Sequence, residues 1–122
     1  DQTQVTALIL LDMVGSPDLL LADDSNSDPS LRNLFKEASR EVFGFSLLTR
    51  TGWGAEIIDD HVEFQRAGIP AINLIDAAFV TPPRPTWWHT AEDTAERLSP
   101  RSLEKVATLV LAALPRVRAA FR

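Results

Sequence analysis

The sequence predicts an α/β domain built in layers, and three observations carry that expectation. Residues 5–11 (VTALILL) form a near-continuous apolar run of the kind found in strands covered on both faces. Residues 71–75 (AINLI) repeat the pattern just after Gly68 and Pro70. Apolar residues elsewhere recur at helical spacing, first at Leu31, Leu34, Phe35, Ala38 and Val42, then at Leu103, Val106, Ala107, Val110, Leu111 and Leu114. Strands alternating with helices imply a mixed, mainly parallel sheet with helices packed on it.

The elements follow in order. Asp12 closes the first run and Met13-Val14-Gly15-Ser16-Pro17 turns away from it. A carboxylate thus stands at the carboxyl end of a buried strand, the edge where open α/β sheets bind ligands. Residues 18–22 read as a short strand, followed by a polar loop over residues 23–27. Asp28-Pro29 reads as an N-cap with Pro at the first helical position, and Gly44 stops that helix. Residues 45–48 form a second short strand, and Thr51-Gly52-Trp53-Gly54 turns into Ile57-Ile58-Asp59-Asp60-His61. A short helix over residues 60–67 precedes Gly68. Residues 76–88 carry Pro82, Pro83 and Pro85, too many for a regular element, and deliver His89. Ser99-Pro100 opens the last helix, which Pro115 is expected to kink or end.

A length of 122 residues with 45% hydrophobic content supports one domain, residues 1–122, with its own core. The net charge of -5 and the scattered basic residues exclude the concentrated basic stripe that nucleic acid requires. With no cysteine, disulfides and thiolate metal sites are excluded, so a metal would be held by His, Asp and Glu. No apolar stretch approaches the roughly 20 residues of a membrane span, and Asp1-Gln2-Thr3-Gln4 does not resemble a signal peptide. Central strands seldom open a domain, so the chain is expected to be the later part of a longer catalytic domain.

Of the two histidines, His89 lies in the run Trp87-Trp88-His89-Thr90-Ala91-Glu92-Asp93-Thr94. Neutral imidazole is the commonest protein ligand for zinc, although a histidine beside indoles is more often a hydrogen-bonded structural residue. Three signals combine in order: Asp12 after a buried strand, Asp59-Asp60-His61 before a short helix, and Trp88-His89-Thr90 after the next strand.

In that order, nearly the whole chain from Leu10 onward resembles the second half of the zinc-dependent aminopeptidases and of their relatives, the glutaminyl-peptide cyclotransferases. The matching stretches are LLDMVGSPDL, NSDPSL, IIDDHVEFQRAGIPAINLID, WWHTAEDT and LSPRSLEKV. The resemblance implies a zinc-exopeptidase-like, three-layer sandwich fragment, a zinc cofactor and a peptide N-terminus as substrate. In two-zinc members, the Asp matching Asp12 binds one zinc and the His matching His89 binds the other. A bridging Asp, a further His and a Glu-Glu pair come from the first half, which has no counterpart in this sequence. In the cyclotransferases, the His matching His89 holds a single zinc, and the carboxylates matching Asp12 and Asp59 belong to a proton-moving acid cluster. The Trp matching Trp88 lines the substrate pocket there. The implied site is therefore Asp12 and Asp59 as catalytic carboxyls, Trp88 against substrate, and His89 and Asp12 as metal ligands. Such relatives are commonly secreted or periplasmic.

Plainer roles stand beside these. Asp12 could cap its strand, Asp59 or Asp60 could cap the short helix, with the cap favoured for Asp60, and His61 could hold the turn or an acid in place. Glu92 and Asp93 fit turn carboxylates, with Asp93 orienting the His89 loop, and Trp53 and Trp87 fit packing as well as pocket walls. The acid at Asp59, where many aminopeptidases carry a small residue, leans toward the cyclotransferases, as does Trp88. Asn73, where some cyclotransferases have His, and the long loop before Trp88 lean away. The competing reading is a non-catalytic truncated module that associates with an upstream half-domain or with itself through an exposed sheet edge.

Overall fold

The computed structural model describes residues 4–50, 57–80 and 83–122. The expected turn at Thr51-Gly52-Trp53-Gly54, and Pro82, lie outside the described residues. The elements run β1 (Leu8–Asp12), β2 (Leu21–Ala22), α1 (Pro29–Phe43), β3 (Leu48–Thr49), α2 (His61–Arg66), β4 (Ala71–Ile75), α3 (Ala77–Val80) and α4 (Pro100–Ala120).

β4 pairs in parallel with β1, Leu8 opposite Ala71 and Asp12 opposite Ile75. β2 pairs in parallel with β3, and an isolated bridge from Leu21 to Asp76 sets β2 beside the end of β4. Both ladders are parallel, and the chain is α/β as expected. Side chains alternate across a strand, so β4 serves two layers. Ile72 and Leu74 enter the main core with Leu31, Phe35, Val106 and Leu109, which places α1 and α4 on one face. Ile75 joins a smaller cluster with Ala22, Ile57 and Ala77 on the face shared by Asn73 and α2. That second face carries the candidate site.

α1 forms where its caps dictate. The Asp28 carboxylate accepts the Leu31 N–H at 3.0 Å, Pro29 occupies the first turn, and Gly44 ends the helix at φ +82°, donating its N–H to the Arg40 carbonyl. Asp28→Ala is expected to lower stability by about 1 kcal/mol, read by urea denaturation. α4 starts likewise, with the Ser99 hydroxyl accepting from Ser102 N–H and Pro100 in its first turn.

Several expectations are corrected. The buried stripe of α4 is Ser102, Val106, Leu109, Ala113 and Val117, while Leu103 and Leu111 are exposed. Apolar residues cover so much of this helix that their spacing does not single out one face; packing against Phe35 and Leu31 does. Pro115 does not end the helix, which continues to Ala120. The carbonyl freed one turn earlier belongs to Leu111, an exposed residue. Residues 76–88 are not wholly irregular, because Asp76 accepts the Ala78 N–H at 2.9 Å and starts the single turn of α3 before the prolines. The two short strands are narrower or shifted, at Leu21–Ala22 and Leu48–Thr49. β1 was expected to be covered on both faces but is only half-buried, with Leu11 47% exposed, and among the described strands it pairs with β4 alone.

Candidate active site at the carboxyl edge of the sheet

Asp12 ends β1 and faces the α2 side of the sheet, and Asp59 sits on the turn that enters α2. Their carboxyls are hydrogen-bonded to each other. Asp59 Oδ1 also accepts the Asp60 N–H at 2.8 Å, and its Oδ2 accepts Asn73 Nδ2 at 3.0 Å from the middle of β4. The backbone reinforces this place. Among the described residues, the non-glycine residues at positive φ are Met13, at +52°, directly after Asp12, and His89, at +59°. Such conformations are uncommon and collect where surrounding structure holds a functional segment.

The two carboxyls differ in proton affinity. Burial, the hydrogen bond and charge of Asp59, and the charge of Asp60 push the Asp12 carboxyl up to about 6, against the opposing Met13 N–H. Burial also works against ionisation of Asp59, but hydrogen bonds from Asp12, the Asp60 N–H and Asn73, with the field of His61, hold it below the usual carboxylate range. Around pH 6 the pair thus takes up a proton, held on Asp12, with Asp59 the stronger acid of the two. Such a pair can take a proton and return it close to neutral pH.

Trp88 and His89 lie at the far end of the long loop. Their rings stack with centroids 3.6 Å apart and planes 18° apart, and the Arg84 guanidinium lies 4.8 Å from the Trp88 ring. Trp88 is half-buried and His89 exposed, and no hydrogen bond or ion pair joins His89 to Asp12 or Asp59 among the described residues. Trp87 packs edge-on against Phe79, is covered by Arg97, and also lines a small pocket with Met13 and Ser16. Asp93 is exposed, and its backbone N–H donates to the Thr90 carbonyl. Asp60 occupies the cap position of α2 without a side-chain cap bond; the Asp59 carbonyl instead accepts the Val62 N–H.

The structure brings together Asp12 and Asp59, adds Asn73 to them, and stacks Trp88 on His89. Sequence reasoning missed the donor role of Asn73, which required knowing that it shares a sheet face with Asp12. It also passed over Asp24 and Ser27, both buried, although two consecutive acids ahead of a helix cap were a usable signal. His61 is fully buried, its Nε2 2.8 Å from Asp24 Oδ2. Among the described residues, no three His, Asp or Glu side chains converge on a point that could hold a metal ion. Catalytic zinc needs three protein ligands, so the described residues do not complete such a site.

Comparisons with known proteins agree with the α/β fold. The aminopeptidase YwaD of Bacillus subtilis is 38% identical over 85 residues, 67% of this chain and 18% of that protein. The glutaminyl-peptide cyclotransferase of Bos taurus is 34% identical over 73 residues, 60% of this chain and 18% of that protein. Among solved structures, an Acidobacteriales bacterium glutaminyl cyclase superposes with a TM-score of 0.75 at 31% identity, covering 92% of this chain and 39% of the cyclase. The zinc aminopeptidase BSAP of Bacillus subtilis gives 0.65 at 28% identity, covering 91% of this chain and 28% of that chain. The chain thus spans well under half the length of each. The model of Peptidase family M28 matches residues 1–114, and the chain belongs to that family.

Proposed function

We propose that this chain is the carboxyl-terminal part of a catalytic domain that acts on peptide N-termini, with Asp12 and Asp59 as its proton-transfer pair. The observation that carries the reading is the hydrogen bond between the two carboxyls, braced by Asn73. Asp12 takes and returns the proton. Asp59, the anion beside it, raises its basicity and offers a charge to the substrate ammonium. A free α-amine is ordinarily protonated until about pH 8, so it must surrender a proton before it can attack.

The same relay serves two reactions. In cyclisation of an N-terminal glutamine, the α-amine attacks the side-chain amide carbon, its proton passes to Asp12, and Asp12 protonates the departing ammonia. In hydrolysis, water takes the place of the amine as nucleophile and the released amine receives the proton. The Asp12–Asp59 bond favours the relay role for Asp12 over the ligand role, since a carboxyl that holds a proton is a poor metal ligand. It also favours cyclisation, which needs a carboxyl partner at Asp59. Trp88 forms a wall of the peptide site in this reading.

Zinc enters as a proposal from the family, with His89 as the ligand contributed here and the others supplied by polypeptide beyond these residues. Two features support a missing half. The outer edge of β1 is unpaired among the described strands, and an open groove of about 930 Å³ lies beside it, lined by Ala7, Ile9, Leu111 and Leu114. An upstream half-domain covering both would complete the sheet and the ligand set.

The test is turnover by the protein that carries these residues, on peptides beginning with glutamine, on other aminoacyl peptides, and on N-acetylated copies of each. Free-amine peptides are expected to react and acetylated ones not at all. Turnover of acetylated peptides would contradict the reading. The 122-residue chain alone is expected to bind zinc weakly. Tight one-to-one binding would contradict the incomplete ligand set.

A further inference from the structure

We infer that Asp24, a buried carboxylate outside the pair, is the positioning residue that fixes Asp59; the inference rests on the proton-transfer reading above. Asp24 is 1% exposed and reaches the Asp59 carboxylate by three routes. Its Oδ1 accepts the Ile57 N–H at 2.9 Å, two residues before Asp59. Its Oδ2 lies 2.8 Å from His61 Nε2, two residues after Asp59, in a close contact without hydrogen-bond alignment. The same Oδ2 accepts the Ser27 hydroxyl at 2.9 Å, and Ser27 Oγ in turn accepts the Asn73 N–H at 2.9 Å. Asn73 then donates its side-chain amide to Asp59 at 3.0 Å.

One carboxylate therefore grips the Asp59 turn on both sides and also sets the strand position from which Asn73 reaches it. The loop holds Ile57 a second time, because Asn26 Nδ2 donates to the Ile57 carbonyl at 2.9 Å while Asn26 N–H rests on Asp24 at 2.9 Å. An ionised carboxylate accepts several hydrogen bonds at once, which an amide of the same shape cannot do without turning N–H groups toward donors. Misplacement of a reacting group by about 1 Å costs on the order of a hundredfold in rate.

The adjacent residue supplies a control. Asp23 is also buried, but it faces the other way, paired with Arg32 at 2.9 Å and Lys36 at 2.5 Å on α1. Loss of either carboxylate removes buried polar bonds from one loop, yet only Asp24 is joined to the Asp59 turn.

The experiment compares Asp24→Asn and Asp23→Asn in the protein that carries these residues, below the unfolding temperature of both. Asp24→Asn is expected to lower kcat roughly ten- to a hundredfold, while Asp23→Asn keeps its kcat. Hydrogen exchange supplies a readout that needs no substrate: the amides of Ile57 and Asn73 lose protection in Asp24→Asn and keep it in Asp23→Asn. Equal kcat in the two variants, or retained protection at both amides in Asp24→Asn, would overturn the inference. If Asp24→Asn does not fold, Ser27→Ala severs the Asn73 route alone. A lowered kcat with lost Asn73 protection then supports the inference, and an unchanged kcat overturns it. If the unsubstituted protein turns over no peptide, the proton-transfer reading fails, and the exchange data still decide whether Asp24 braces the turn.

Discussion

Asp12→Asn is expected to lower kcat by about a hundred- to ten-thousandfold, the contribution typical of a positioned general acid or base. The amide keeps the shape of the carboxyl and removes its capacity to take a proton, so folding should survive. The companion variant, Asp59→Asn, tests the cause of the tuning. In the unsubstituted protein the Asp12 carboxyl is raised to about 6, so kcat/KM should rise as pH passes through about 6 and Asp12 becomes a proton acceptor. Asparagine at position 59 removes the charge, and weakens the hydrogen bond, that favour the protonated form of Asp12. The rise should therefore move to lower pH, while burial still holds it above the ordinary 3.8. Stability follows the same sign. A carboxyl raised in the folded state favours folding fully below pH 3.8, and that contribution is lost as pH climbs through about 6. Asp59, held low, contributes the opposite way: its share is present above the unfolded value and lost as pH falls through the folded one.

The second large effect is on stability. Phe35→Ala is expected to destabilise the domain by about 3–5 kcal/mol, measured by reversible urea or thermal unfolding. Phe35 is 0% exposed and lies where α1 meets α4, in contact with a cluster that includes Leu31, Leu109 and Ala113. Removing the ring leaves a cavity between two helices whose other contacts hold them in place, so the gap cannot fully close. Val42→Ala on the same helix, where the side chain is 45% exposed, should cost less than about 1 kcal/mol. A cost at Val42 comparable to that at Phe35 would mean that α1 is rotated from the orientation described.

The local chemistry of the chain made much of the fold legible. Asp28, Pro29 and Gly44 mark α1 because each satisfies a backbone requirement of a helix end, and those requirements do not depend on tertiary context. Residues 71–75 form a buried strand because the run offers apolar side chains to both faces, apart from Asn73. Legibility failed where context decides. The face of α4 turns on which of its many apolar residues meet Phe35, and the coverage of β1 turns on what lies across its free edge. Of the two outcomes expected at Pro115, a kink or an end, the end does not occur: α4 runs through it to Ala120 because its packing outlasts one lost backbone hydrogen bond.

The candidate site divides along the same line. Asp12 and Asp59 could be named from strand-end position and family resemblance, since each lies at the end of a recognisable stretch. Their direct hydrogen bond could not, because it depends on register: Asp12 opposite Ile75 places Asn73 on the shared face, within reach of Asp59. Asp24 was hidden for a further reason. A loop acid looks like a solvated side chain in the sequence, and only the fold shows it buried against His61 and Ile57.

The measurement that reaches the central claim most directly is a carboxyl ¹³C NMR titration of Asp12 in the chain itself, without metal or substrate, repeated in the Asp59→Asn variant. The account predicts that Asp12 titrates near pH 6 in the unsubstituted chain and at lower pH once Asp59 is replaced. An Asp12 carboxyl that titrates in the ordinary range around 3.8, and does not move when Asp59 is removed, would contradict the proton-sharing pair.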